Sequence, residues 1–275
     1  MRPPIDGGVV LLTGASAGIG LEMARMLAPR VATLILVARR KDRLDALSEE
    51  LTGRHPGLKV VVMPCDLGDM EAIKVALGAI KEQVGAVDIL INNAGFGDIG
   101  LFEMTAYDKL DLMLRVNCQA LTLLTHRLLP DMIERGRGGV LNISSGFGFS
   151  WLPGVAVYAG TKHYVTAFTE SLRLEVKGHG VVVTQVCPGP VATEFESVAG
   201  NPTGQSVPKI LEIGAEQCAR ESLAGFERGR ALVIPGWVAA AMMNFTRLAP
   251  RWMVRLCTGW TAAVLRKRQA ALANA

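Results

Sequence analysis

Cysteine is sparse and poorly placed for metal or disulfide chemistry. The five cysteines (Cys65, Cys118, Cys187, Cys218, Cys257) are scattered, odd in number and nowhere in CxxC spacing. That argues against a disulfide framework and a thiolate zinc site, and it points to a reducing, cytoplasmic compartment. The four histidines (His55, His126, His163, His179) form no ligand cluster either, so no metal centre is expected. The C-terminal region lacks an uninterrupted apolar stretch of about 18 residues, so a spanning helix is not expected there. The N-terminus has one arginine, two prolines and an aspartate before the first apolar run, unlike a signal peptide. Internal repeats and Pro- or Ser-rich linkers are missing, which favours one large domain over several. Acid is absent from residues 237–275, which hold Arg247, Arg251, Arg255, Arg266, Lys267 and Arg268. With a net charge of +4, residues 1–236 therefore sum to +4 − 6 = −2, and the near-neutral body does not suggest nucleic-acid binding.

What is present is an alternating pattern. The 275 residues are 50% hydrophobic and 20% charged, enough for a full core. Short apolar runs at Val9–Thr13, Val31–Ala38, Lys59–Pro64, Val87–Ile91, Gly139–Ile143, Val181–Cys187 and Ala231–Ile234 read as strands. Helical patterns lie between them, at about 16–28, 41–54, 70–84, 106–134, 158–177 and 215–227. Continuous apolar strands alternating with helices mean an α/β protein with a parallel sheet covered on both faces. Right-handed crossovers favour a Rossmann-type doubly wound sheet, with about seven strands expected in the order 3-2-1-4-5-6-7. Residues 1–236 form this unit, and 237–275 read as a basic amphipathic helical extension.

Thr13-Gly14-Ala15-Ser16-Ala17-Gly18-Ile19-Gly20 follows the first strand and opens the first helix. Such a turn lets backbone approach a pyrophosphate at a helix N-terminus; a plain βα loop is the alternative. The second strand ends in Arg39-Arg40-Lys41, with no acid before Asp42. A guanidinium suits a 2′-phosphate better than a ribose hydroxyl, so NADP(H) is expected over NAD(H). The competing reading is a basic start to a solvated helix.

Tyr158 and Lys162 stand four residues apart, on one face of a helix, with Ser145 thirteen residues upstream. A free tyrosine has a pKa of about 10, and a nearby cation favours the phenolate. The trio reads as a proton donor, its tuner and a hydrogen-bonding hydroxyl, although a Tyr-Lys spacing alone is weak.

Taken together these motifs resemble the short-chain dehydrogenase/reductase family, classical type, over about residues 7–235. TGASAGIG at 13–20, Asp66-Leu67, Asn92-Asn93-Ala94-Gly95, Asn117, Asn142-Ile143-Ser144-Ser145, Tyr158 with Lys162 and Pro188-Gly189-Pro190-Val191-Ala192-Thr193 occur in order and register. The resemblance implies that Tyr158 donates a proton during carbonyl reduction and, as tyrosinate, accepts one during alcohol oxidation. It implies that Lys162 lowers the Tyr158 pKa and binds the nicotinamide ribose. Ser145 would hold the substrate oxygen, with Ser144 as the alternative. Asn117 would support a water relaying protons to Lys162, or else merely distort its helix. Gly14, Ser16, Ala17, Gly18, Ile19 and Gly20 would cradle the pyrophosphate, and Asp66 and Leu67 would face the adenine. Asn93, Ala94 and Gly95 would line the adenosine-side ribose, unless they only make a turn. Pro188, Gly189, Val191 and Thr193 would meet the nicotinamide end. The family also implies a homodimer or homotetramer built through the helices at 106–134 and 158–177.

Two segments are expected to shape the substrate pocket. Gly146–Pro153 is apolar and aromatic, and 194–214 contains Phe195, Val198, Val207, Ile210 and Leu211 around a Gly200–Gly204 centre that reads as a lid. An apolar ketone, aldehyde or secondary alcohol is the expected substrate; ordinary core or oligomer contacts are the alternative. The extension interleaves tryptophans and arginines, which suits contact with the periphery of an anionic membrane or packing on protein. A cofactor-binding regulatory or scaffold protein of the same fold is the non-enzymatic alternative.

Overall fold

The computed structural model describes residues 2–194, 199 and 212–273. Its chain alternates β1 (Val9–Thr13), α1 (Gly18–Leu27), β2 (Thr33–Ala38), α2 (Lys41–Arg54), β3 (Lys59–Pro64), α3 (Met70–Val84) and β4 (Ile89–Asn92). Helices α4 (Tyr107–Leu114) and α5 (Leu121–Glu134) follow, then β5 (Gly138–Ile143), α6 (Ala156–Glu175) and β6 (Val181–Val186). The two-residue strands β7 (Val191–Ala192) and β8 (Ile213–Gly214) precede α7 (Ala215–Glu227) and β9 (Leu232–Val233). The chain ends in α8 (Trp237–Leu248) and α9 (Arg251–Ala273).

Seven strands form one sheet in the order β3-β2-β1-β4-β5-β6-β9, and every neighbouring pair is parallel. This is the expected doubly wound order. The seventh position belongs to β9 because β7 and β8 pair only with each other. Alternation along each strand divides the core into two layers. Val10, Leu12, Leu34 and Leu36 pack against Met23, Leu27, Leu44 and Phe226 of α1, α2 and α7. Leu11, Ile35, Val37 and Val183 face Ile73, Ile80, Leu124 and Leu172 of α3, α5 and α6.

The region expected as one helix over 106–134 contains a change of pitch. Arg115–Ala120 winds as a π-helix between α4 and α5, and Asn117 lies inside it. A π-turn inserts an extra residue into the ladder, and it needs a local reason to persist. Here the Asn117 side chain takes over backbone partners: its Nδ2 donates to the Phe96 carbonyl at 2.9 Å, and its Oδ1 accepts from Phe96 N at 3.1 Å.

The extension packs back on the body. Ala239 and Met243 of α8 are buried beside Cys187, with Phe149 against the same cluster. At the far end of α9, Leu265 is buried, Gln269 Oε1 accepts from Leu101 N at 2.9 Å, and Arg266 pairs with Glu103 at 2.7 Å. No described helix is long and apolar enough to cross a membrane. The outer side of α8 is apolar as well: Trp237, Phe245 and Leu248 are exposed, at helical spacings of eight and three.

Candidate active site

A cavity of about 600 Å³ opens along the carboxyl ends of β1, β4, β5 and β6. This is the edge at which an open parallel sheet binds ligands, next to the switch in strand order between β1 and β4. The glycine turn floors one end. Gly14 has φ +68°, and a Cβ there would fall 2.9 Å from Ala94 Cα. Gly18 has φ +56°, and its Cβ would stand 3.0 Å from Thr193 Cγ2. Side chains are therefore excluded where backbone must face the cavity. Helix α1 begins at Gly18 without a side-chain cap, and Ser16, Ala17, Gly18 and Ile19 line the cavity. The first N–H groups of the helix are unmatched within it and are suited to an anion.

Thr13 anchors this turn to the next one. Its hydroxyl accepts from Asn93 N and Ala94 N, each at 3.0 Å, and donates to the Ile91 carbonyl. Asn93 Nδ2 donates to the Thr13 carbonyl at 2.9 Å. Asn93 thus braces the turn, while Asn93, Ala94 and Gly95 also border the cavity. Asp66 and Leu67 line it, and the Asp66 carboxylate accepts from Gly68 N at 2.9 Å. Pro188, Gly189, Val191 and Thr193 line it as well, with Thr193 beside Gly18 of the glycine turn.

Ser145, Tyr158 and Lys162 meet on one wall. The Ser145 hydroxyl is a hydrogen-bond partner of the Tyr158 phenol, and it accepts from Phe147 N at 3.2 Å. Ser144 points elsewhere: its hydroxyl donates to the Lys162 carbonyl at 3.0 Å and pairs with Thr166 Oγ1 at 2.9 Å. Of the two serines, Ser145 faces the phenol. Lys162 is buried, its Nζ donating to the Ile143 carbonyl at 2.9 Å and standing 5.8 Å from the Tyr158 ring centre. Asn117 Nδ2 donates to Thr161 Oγ1 at 3.1 Å, next to Lys162 in the chain. Gly95 is flanked by Asn117 and Lys162: a Cβ on it would fall 3.0 Å from Asn117 Oδ1 and 3.5 Å from Lys162 Nζ.

Burial governs the charges. It pushes the Tyr158 phenol up to about 12, with the Ser145 hydrogen bond acting against it. It brings the Lys162 ammonium down to about 8, with the nearby Cys187 and Cys118 thiols acting in the opposite sense. Desolvation of the phenolate thus leads the Tyr158 shift, ahead of the opposing Ser145 hydrogen bond.

At the far end of the cavity, Arg39 and Arg40 are both at its lining. Arg40 donates to Glu194 at 2.9 Å and to Ser16 Oγ at 3.2 Å, and Arg43 donates to Glu194 at 2.7 Å. Arg43 and Glu194 were absent from the sequence-based site. Arg43 was readable as the residue one helical turn beyond Arg40, whereas Glu194 is 151 residues away from it. Met242, Met243 and Thr246 of α8 complete the lining, also unanticipated. Of the two expected substrate segments, Phe147, Phe149 and Ser150 reach the cavity. Phe195, Val198, Val207, Ile210, Leu211 and the 200–204 centre lie outside the described residues. Among the described residues no group of three or more His, Cys, Asp or Glu is placed to hold a metal ion.

This sheet order and this arrangement of residues define a class. The family model for short chain dehydrogenases matches residues 8–202. The chain belongs to the short-chain dehydrogenase/reductase family, a family of oxidoreductases that use a nicotinamide cofactor. Dehydrogenase/reductase SDR family member 7B of Bos taurus is 34% identical over 267 residues, covering 93% of this chain and 82% of that protein. Glycine betaine reductase ATRR of Emericella nidulans is 38% identical over 194 residues, 70% of this chain; the match spans only 15% of that protein's length. Among solved structures, a short-chain dehydrogenase from Sphingobium yanoikuyae in complex with NADPH is similar, with a TM-score of 0.77 and 31% identity over 86% of this chain and 91% of that one.

Proposed function

We propose that the protein is an NADP(H)-dependent oxidoreductase that reduces an apolar ketone or aldehyde, or oxidises the matching secondary alcohol. The observation that carries this is the Tyr158–Ser145 pair beside buried Lys162, on the wall of a cavity that extends to Arg39 and Arg40. The residues fit the cofactor: glycines where a Cβ would intrude, uncapped N–H groups at α1, and a carboxylate already standing between two guanidiniums. When bound, NADP(H) supplies or accepts the hydride. Gly14, Ser16, Ala17, Gly18 and Ile19 hold its pyrophosphate, and Arg39 and Arg40 its 2′-phosphate; Gly20, expected with them, is instead buried outside the cavity lining, where a Cβ would meet the Gly14 carbonyl, so it serves the packing of the turn. Asp66 and Leu67 take the adenine side, Asn93, Ala94 and Gly95 the ribose, and Pro188, Gly189, Val191 and Thr193 the nicotinamide end. Ser145 and Tyr158 aim donors at the substrate oxygen, where negative charge develops. The proton of the Tyr158 phenol goes to that oxygen. Lys162 stabilises the phenolate left behind and binds the ribose. Asn117 positions Lys162 through Gly95 and Thr161.

The reading treats residues 1–236 as the catalytic unit and 237–275 as an extension that closes its pocket. It places the protein in the cytoplasm, as a homodimer or homotetramer joined through α4, α5 and α6; α6 leaves Tyr164 and Leu174 exposed. Oxidation of NADPH by a panel of aliphatic, aromatic, steroid and 3-oxoacyl carbonyls tests it. NADPH should exceed NADH in kcat/KM by about tenfold or more, because two charged donors face the extra phosphate. A preference for NADH, or silence across the panel, would sink it.

The exposed side of α8 supports peripheral contact with an anionic membrane. Trp237, Phe245 and Leu248 are exposed, and the same two helices carry Arg247, Arg251 and Arg255, with no acid after residue 236. Full-length protein is expected to co-sediment with phosphatidylserine vesicles at low salt and less so at high salt. Trp237→Glu with Leu248→Glu should abolish this and leave turnover of a water-soluble substrate intact. Equal sedimentation of the two proteins removes the membrane contact.

A further inference from the structure

Three separate parts of the chain converge on one carboxylate. Arg40 Nη1 donates to Glu194 Oε2 at 2.9 Å, and Arg43 Nη1 donates to Glu194 Oε1 at 2.7 Å. Arg40 Nη2 reaches onward to Ser16 Oγ at 3.2 Å, which ties the pair to the glycine turn. Arg40 stands between β2 and α2 at the N-cap position of α2, Ser16 precedes α1, and Glu194 follows β7. Ser16, Arg40 and Glu194 all border the cavity. Two guanidiniums face this one carboxylate and the Ser16 hydroxyl stands beside Arg40, so the cluster is rich in groups that can donate to an anion. A phosphate monoester has a third oxygen and a second charge, and would fill it better.

We propose that Glu194 is a built-in competitor for the cofactor's 2′-phosphate. Its carboxylate holds the Arg40–Arg43–Ser16 anion site until the phosphate arrives, and must then leave. The inference rests on the NADP(H) reading only for the name of the incoming anion. Two anions cannot share these donors at hydrogen-bond range without strong repulsion. Arg40, Arg43 and Glu194 are 42%, 43% and 45% exposed, so their ion pairs are water-screened and weak enough to exchange. The two arginines also hold the Glu194 carboxyl below its ordinary range, keeping it charged through neutral pH. Competition therefore persists wherever the enzyme would work. Arg43 becomes a specificity-determining residue alongside Arg40, and Glu194 sets how strongly the phosphate is preferred.

The test is calorimetric titration of the protein with 2′,5′-ADP and with 5′-AMP, which differ only in the 2′-phosphate. Glu194→Gln keeps the side chain's shape and removes its charge. It is expected to tighten 2′,5′-ADP binding by about three- to tenfold while leaving 5′-AMP binding unchanged. Unchanged or weakened 2′,5′-ADP binding overturns the proposal. A selective loss of 5′-AMP affinity also overturns it, since that result would assign Glu194 to a ribose hydroxyl. The wild type answers the other question separately. If it binds 5′-AMP at least as tightly as 2′,5′-ADP, the NADP(H) reading fails; a Glu194→Gln variant that still gains 2′,5′-ADP affinity leaves the competitor role standing.

Discussion

Tyr158→Phe is expected to lower kcat for carbonyl reduction by about 10³-fold or more, with NADPH affinity within about twofold of wild type. The substitution removes one oxygen and little else. The Tyr158 ring is buried, with the Phe147 ring edge-on at a centroid distance of 6.0 Å, and phenylalanine keeps that packing. What is lost is the proton and the donor beside Ser145. Single-turnover kinetics with NADPH, alongside equilibrium binding of the cofactor, separate the two effects. Near-normal turnover would refute the role assigned to Tyr158. The upward shift to about 12 also gives the two directions opposite pH profiles. The phenol holds its proton throughout the neutral range, so the donor for reduction is always loaded. Alcohol oxidation needs the phenolate and should climb with pH. Reduction should decline as pH passes about 8, where Lys162 loses the charge that supports the phenolate left behind.

Lys162→Met should remove activity to a similar degree and yet make the protein more stable at pH 7. The wild-type fold buries an ammonium whose pKa drops from 10.5 to about 8, a difference of about 3 kcal/mol in the cost of holding the charge. Methionine is unbranched, only one atom shorter, and needs no hydration. The Ile143 carbonyl loses its Nζ donor, which offsets about 1 kcal/mol. A net gain of about 1–2 kcal/mol is expected in urea unfolding. The sign follows from proton counting. Between about 8 and 10.5 the unfolded chain binds more protons at this residue than the folded one, so wild-type stability from Lys162 rises with pH across that window. The advantage of the variant is therefore greatest below pH 8 and fades by pH 10.5. Tyr158 acts the other way, lowering stability as pH climbs from 10 towards about 12, but it does so in both proteins and cancels in the comparison. A variant no more stable than wild type would mean that Lys162 is better solvated or better paired than its burial indicates.

The parts of this protein that were legible in the sequence are those governed by neighbours in the chain. Apolar runs such as Val181–Val186 mark buried parallel strands because both faces are covered. The 13–20 turn is legible because backbone needs glycine at Gly14 and Gly18, whatever surrounds them. Ser145 was placed by its position just past β5, and Tyr158 and Lys162 by theirs on α6, the helix that follows. The remainder depends on distant encounters. Glu194 meets Arg40 across 154 residues, and no local spacing encodes that. The π-turn at Asn117 reflects a side chain reaching Phe96, which a helical periodicity cannot show. A four-residue spacing put a cation near the Tyr158 phenol correctly, but the balance against burial was set by the whole fold. The tail read as a candidate for membrane or protein contact, and its inner face turned out to be pocket wall.

That wall has a consequence for how the protein could diversify. The matched family region ends at residue 202, whereas Met242 and Met243 reach the cavity from α8. Methionine is unbranched and readily reshaped, so this side of the cavity can yield to ligands of different outline. Part of the ligand fit is thus written apart from the reaction chemistry, although Phe147, Phe149 and Ser150 also reach the cavity. Codons for α8 can drift, and the range of molecules admitted can widen or narrow, without disturbing Ser145, Tyr158 or Lys162.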